Sequence, residues 1–112
     1  MVSIKYDISD TRKPEIALEK IGGKWKMPII WRLSLQDVWR YSDLKRDLDP
    51  ISHKMLSKQL KELEVDGYIA RKQYPVMPPK VEYRLTKLGE KALPTIRALC
   101  EFAADTIVDT DK

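Results

Sequence analysis

The sequence predicts a mainly helical α+β fold, and three observations carry that expectation. Apolar residues recur at helical spacing in successive short stretches up to Asp66. Between residues 68 and 86 the period changes to two, and from Leu88 onward helical spacing returns. Chain breakers stand where the pattern changes: Gly22-Gly23, Asp49-Pro50, Gly67 and the run Pro75-Val76-Met77-Pro78-Pro79. With 112 residues, 43% hydrophobic and 34% charged, the chain supports one modest core and not two.

Residues 1–12 show no periodicity and are expected to form an N-terminal arm, followed by a folded domain over 13–108 and a frayed tail over 109–112. A first helix over 13–21 places Ile16, Ala17 and Ile21 on one side and ends at the two glycines. A second is expected over 24–35, where Met27, Ile30, Trp31 and Leu35 form a stripe and Pro28 is tolerated in the first turn. Residues 36–40 read as a connection or a short edge strand. Tyr41, Leu44 and Leu48 then mark a third helix, which Asp49-Pro50 closes. Ser52 is a natural N-cap for a fourth helix over 53–66, and Gly67 stops it.

Residues 68–74 and 80–86 alternate, with Val81, Tyr83 and Leu85 opposite Glu82, Arg84 and Thr86, so they predict a β-hairpin with a proline-stiffened loop. The last helical stretch, 88–108, carries Leu93, Ile96, Cys100, Ala104 and Ile107 on one stripe, and Pro94 is expected to kink or split it. Three helices followed by a two-stranded hairpin are the arrangement of a winged helix-turn-helix domain. The first and last helices are left over for another task.

Catalysis has no evident place in this chain. One cysteine, Cys100, excludes an intrachain disulfide and a cysteine-rich zinc site, and one histidine, His53, leaves no metal constellation to assemble. No serine-hydrolase elbow, zincin, Walker or dinucleotide motif occurs. No cofactor is expected. No apolar run approaches the roughly 20 residues that span a bilayer, the opening residues do not resemble a secretory signal, and a cytoplasmic protein is expected. Positive charge is concentrated toward the front: residues 12–32 hold six basic and two acidic side chains, and residues 85–112 hold four and five. Such a chain offers its first two-thirds to a polyanion.

The fourth helix is the element best suited to that partner. At about 100° per residue, Leu56, Leu60 and Leu63 fall within about 60° of one another, and Lys54, Lys58 and Lys61 cluster on the opposite side beside Ser57. Its acids, Glu62, Glu64 and Asp66, gather at the C-terminal end. Ser52, His53, Ser57 and Gln59 supply hydrogen-bonding groups for base edges or phosphates. Ser42, early in the third helix, joins these candidates. Lys24 and Lys26 are placed to hold a phosphate with the free amides of the second helix. Arg71, Lys72, Lys80 and Arg84 are spaced to line the rim of the wing. The plainer alternative is a solvated amphipathic helix with lysines on its wet side. Trp25, Trp31, Trp39 and Tyr41 are read as core rather than pocket, His53 as a polar contact, and Cys100 as a buried packing residue.

The run Ala17-Leu18-Glu19-Lys20-Ile21-Gly22-Gly23-Lys24-Trp25-Lys26 resembles the opening signature of the HxlR-type winged helix regulators of bacteria, within the MarR-like superfamily. Ile51-Ser52-His53-Lys54-Met55-Leu56, Gln59-Leu60-Lys61-Glu62-Leu63-Glu64 and Asp66-Gly67 resemble that family's recognition helix and its exit. Pro78-Pro79-Lys80-Val81-Glu82-Tyr83-Arg84-Leu85-Thr86 and Leu88-Gly89 resemble its wing. The resemblance covers about residues 13–103. It implies a homodimer built from the first and last helices, with Ile16, Ile21, Leu93, Ile96, Cys100, Ala104 and Ile107 at the interface. It also implies a palindromic operator in double-stranded DNA, residues 52–66 in the major groove and the hairpin around 75–80 at an adjacent minor groove. Many members carry a sensing cysteine before the first helix. Arg12 stands there in this chain, followed by Lys13, so an unidentified small-molecule effector, or none, is expected in place of a thiol switch. Two alternatives stay open: a protein-interaction module, and a DNA-binding protein without sequence preference.

Overall fold

The computed structural model describes residues 13–106. Its elements are α1 (Lys13–Ile21), α2 (Lys26–Ser34), β1 (Trp39–Arg40), α3 (Tyr41–Asp47), α4 (His53–Val65), β2 (Ile69–Tyr74), β3 (Lys80–Leu85), α5 (Lys87–Glu90) and α6 (Leu93–Thr106). The expected arm, Ile107 and the tail at 109–112 lie outside the described residues. Among those described, no helix is long and apolar enough to cross a membrane.

The helical core and the hairpin follow the sequence pattern, with two differences. The sheet has three antiparallel strands in the order β1-β3-β2, because β3 is free on its second edge and takes up Trp39 opposite Tyr83 and Arg40 opposite Glu82. The second helix begins at Lys26 rather than residue 24, since Gly23 adopts a left-handed φ of 85° and the chain turns through Trp25. As expected, the final helical stretch is split, and Pro94 sits in the first turn of α6, where its missing N–H costs little.

The core joins Ile29, Ile30 and Leu33 of α2 to Leu44, Leu48 and Ile51, to Leu56, Leu60 and Leu63 of α4, and to Ile69, Tyr83 and Ile96. Trp25, Trp31, Trp39 and Tyr41 pack against it, partly buried. The α4 helix is fixed at both ends. Ser52 Oγ accepts the Met55 N–H at 3.0 Å. At the exit, Gly67 has a φ of 86°, its N–H donates to Glu64, and the Tyr68 N–H reaches back to Leu63 at 3.0 Å. That double bond pattern is a Schellman stop, which glycine adopts without the Cβ penalty. Thr86 then ties the wing to this exit: its hydroxyl donates to the Gly67 carbonyl at 2.6 Å and accepts the Gly89 N–H at 3.0 Å, capping α5.

The outer helices depart from this compact arrangement. Every residue from 14 to 20 on α1 is exposed, and so is every residue from 97 to 106 on α6. Cys100 is therefore exposed in the single chain, not buried as the stripe suggested, because the core ends at Ile96. Ile96 belongs to the chain's own core rather than to a free face. Ile21 and Leu93 are partly buried against that core.

Candidate nucleic-acid interface

The leucines of α4 hold its opposite side to solvent. Ser52, His53, Lys54, Ser57, Lys58 and Lys61 are all exposed, while Leu56, Leu60 and Leu63 are buried. Gln59 departs from this group. It is partly buried and its Nε2 donates to the Met55 sulfur at 3.3 Å, so its amide is turned along the helix.

Beside the first turn of α4 stands Tyr41, the first residue of α3. Its hydroxyl lies 3.0 Å from His53 Nδ1 and 3.3 Å from Ser57 Oγ, and the Tyr41 and His53 rings stack with centroids 5.8 Å apart. Sequence reasoning placed Tyr41 only in the core, because its partners lie twelve and sixteen residues away and no local pattern joins them. Ser42, exposed on the same turn, lines a cleft with Arg40, Pro79, Lys80 and Val81, which brings the start of α3 against the base of the wing loop.

Strand register divides the basic residues of the wing. Arg71 lies opposite Tyr83, whereas Lys72 lies opposite Glu82 and Ala70 opposite Arg84. Side chains alternate, so Arg71 shares one face with Tyr83, and Lys72, Lys80 and Arg84 share the other. A single rim of four bases is thus corrected to two groups. Arg71 meets Ser57, Lys61, Glu64 and Tyr83 in a polar cleft between α4 and the sheet. On the far face, Lys72 and Lys80 stand over the Tyr74 ring at 5.0 and 4.5 Å, and Lys80 also approaches Glu82 at 3.5 Å. The Tyr74 hydroxyl donates to Glu82, and this bond, ahead of the Lys80 charge, holds the Glu82 carboxyl below the usual range. Burial pushes the Tyr83 phenol up, with Arg71 opposing it.

The second-helix phosphate site is also corrected. The Lys26 ammonium pairs with Glu62 at 2.8 Å and its side chain is only 11% exposed, so it braces α2 against α4 and is not free for a phosphate. Lys24 is exposed in the preceding turn, with its ammonium 5.0 Å from the centre of the Trp25 ring. The Lys26 hydrogen bond and then its charge hold Glu62 below the ordinary carboxylate range. A depressed folded-state value stabilises the fold above the unfolded-state value and ceases to do so as pH falls through the folded one. Urea unfolding across the acid range should therefore show wild type above Glu62→Gln at neutral pH, with the two converging on acidification. Parallel curves would deny the pair a pH-linked contribution.

A buried leucine face, an exposed basic and hydroxyl-bearing first half of the same helix on its other side, and a hairpin at its exit are the arrangement of a winged helix domain. HxlR-like helix-turn-helix is the family description that matches residues 20–111. The chain belongs to this family. An uncharacterised HTH-type transcriptional regulator of Halalkalibacterium halodurans is 52% identical over 85 residues, 76% of this chain and 75% of that protein. The uncharacterised HTH-type transcriptional regulator YtcD of Bacillus subtilis is 45% identical over 103 residues, 92% of this chain and 78% of that protein. The solved structure of the redox regulator HypR in its oxidised form is similar with a TM-score of 0.77 and 35% identity, over 83% of this chain and 95% of that one. As an HxlR-type protein the chain is a DNA-binding transcriptional regulator and not an enzyme.

Proposed function

We propose that this HxlR-type regulator binds a palindromic operator as a homodimer, with α4 in the major groove and the wing at the adjacent minor groove. The observation that carries the reading is the polarity of α4: Ser52, His53, Lys54, Ser57, Lys58 and Lys61 face solvent from its first two-thirds, and Glu62 is drawn aside by Lys26. A groove-entering helix needs donors near its N-terminus, and the one carboxylate in the cleft, Glu64, sits with the two cations Lys61 and Arg71. Arg71 and Lys61, sharing the cleft beside Ser57, extend this surface toward the wing. The tip, Pro75 to Pro79, carries no charge and leaves Met77 91% exposed. It touches the groove walls by apolar contact, and Lys80 and Arg84 behind it serve the phosphates.

The second copy of the chain covers the outer helices. The C-terminal part of α6 exposes Leu99 and Phe102, and α1 exposes Ile16 and Leu18. Helices this short are marginal in water without packing on one face. Leu99, Phe102 and Leu18 were not among the expected interface residues, although the width of the α6 apolar arc was a signal. A small-molecule effector would find apolar walls in the cavity of about 400 Å³ among Ile16, Ala17, Ile21, Tyr68 and Ala92, with Lys20 and Lys91 to meet an anion.

Fluorescence anisotropy with DNA from upstream of the protein's own gene, against a scrambled duplex over a salt series, tests the reading. A preference of about 10³-fold or more for the native DNA is expected. Equal, salt-sensitive affinity for both would indicate binding without sequence preference, and absence of binding would favour a protein partner. On the same DNA, Lys58→Ala should weaken specific binding by about 1–3 kcal/mol as a base contact. Equal weakening for both duplexes with a flatter salt slope would assign Lys58 to a phosphate. No change in either quantity would remove it from the interface.

A further inference from the structure

The contact between Tyr41 and the first turn of α4 has a chemical consequence beyond packing. Its hydroxyl has Nδ1 of His53 at 3.0 Å, Ser57 Oγ at 3.3 Å and the His53 carbonyl oxygen at 3.3 Å. A phenol carries one proton and a neutral imidazole one N–H, so the directions of these bonds are coupled. Where Tyr41 donates to Nδ1, the imidazole proton is on Nε2. The phenol oxygen then accepts the Ser57 O–H, and Ser57 turns a lone pair outward. Where Nδ1–H donates instead, Tyr41 donates to Ser57, Nε2 is bare, and the Ser57 proton turns outward. In either of these senses the exposed pair offers one donor and one acceptor. A phenol that instead donates to the His53 carbonyl leaves two acceptors, so with a neutral imidazole the relay never presents two donors.

We propose that Tyr41 is a specificity-determining positioning residue, whose hydroxyl couples His53 and Ser57 so that they select a base edge bearing an acceptor beside a donor. In the major groove adenine presents N7 as acceptor and N6–H as donor, whereas guanine presents two acceptors, N7 and O6. The relay therefore favours adenine over guanine at the purine that these two residues read. The proposal rests on the placement of α4 in the major groove. Tyr41 itself touches no base; it acts through the two residues that do.

His53 is the only histidine of the chain, so its ring nitrogens are identified without assignment in the ¹⁵N-labelled full-length protein. Long-range ¹H–¹⁵N correlation at mildly alkaline pH, on wild type and Tyr41→Phe, reads the tautomer directly. Selection from a pool of randomised duplexes reads the base preference of the same proteins. Phenylalanine keeps the ring, and Ser57→Ala, at an exposed position, removes the other end of the relay. The expected result is a tautomer ratio in wild type that shifts in Tyr41→Phe. Adenine-over-guanine discrimination should fall about tenfold in both variants. Identical imidazole shifts in wild type and Tyr41→Phe would overturn the relay, as would discrimination retained by Tyr41→Phe. A wild-type protein that selects no sequence at all would overturn the groove placement of α4 and the relay together, and is thereby distinguishable.

Discussion

Phe102→Glu is expected to turn the proposed dimer into a monomer and to weaken binding to the proposed operator by about 10²- to 10⁴-fold. Phe102 is 61% exposed and Leu99 46%, on the part of α6 that no other element among the described residues covers. In a two-fold interface each residue acts twice, and burying one phenylalanine contributes about 1.5–3 kcal/mol. The substitution removes two such contributions and sets two carboxylates where water is excluded, which costs more unless they are paired. A monomer keeps one intact α4, so its affinity for a half-site should match that of wild type, while the gain from two linked half-sites disappears. Sedimentation equilibrium and anisotropy on whole and half operators check both parts. A Phe102→Glu protein that remains dimeric would move the interface away from α6. A dimer lost without loss of operator affinity would separate dimerisation from DNA binding.

The parts of the molecule that were legible in the sequence are those that local chemistry decides. The Ser52 cap, the Leu56-Leu60-Leu63 stripe and the Gly67 exit lie within one helix and its two ends, and each appears where spacing placed it. The hairpin was legible from alternation, and even the division of Arg71 from Lys72, Lys80 and Arg84 follows from register once the strands are paired. The strand at Trp39–Arg40 was not firmly legible, because two residues carry no period and only β3 gives them a partner. The Lys26–Glu62 and Tyr41–His53 contacts join separate helices, so neither had a sequence signal. Cys100 was misplaced for a related reason. Helical spacing identifies an apolar stripe but not which part of it faces the chain's own core, and here that core ends at Ile96.

Leu60→Ala should act on the same helix through stability alone. Leu60 is 2% exposed in the centre of the α4 stripe, packed in a cluster with Leu56, Leu63 and the α2 residues Ile29, Ile30 and Leu33. Truncating a buried leucine removes its transfer energy and leaves a cavity, a loss of about 2–5 kcal/mol. For a domain whose total stability is about 5–15 kcal/mol that is a large fraction. Urea unfolding should show a lower midpoint with an unchanged slope. The groups proposed to face DNA are on the opposite side of α4, so operator affinity should fall only as far as the folded fraction falls, with the salt dependence unaltered. Lys58→Ala should do the reverse, leaving the urea midpoint in place while changing affinity or its salt slope. In the double variant the two effects should add, because the residues face opposite ways and share no partner. A Leu60→Ala protein that is stable yet selects different bases would instead mean that core packing sets the angle at which α4 presents His53 and Ser57 to the groove.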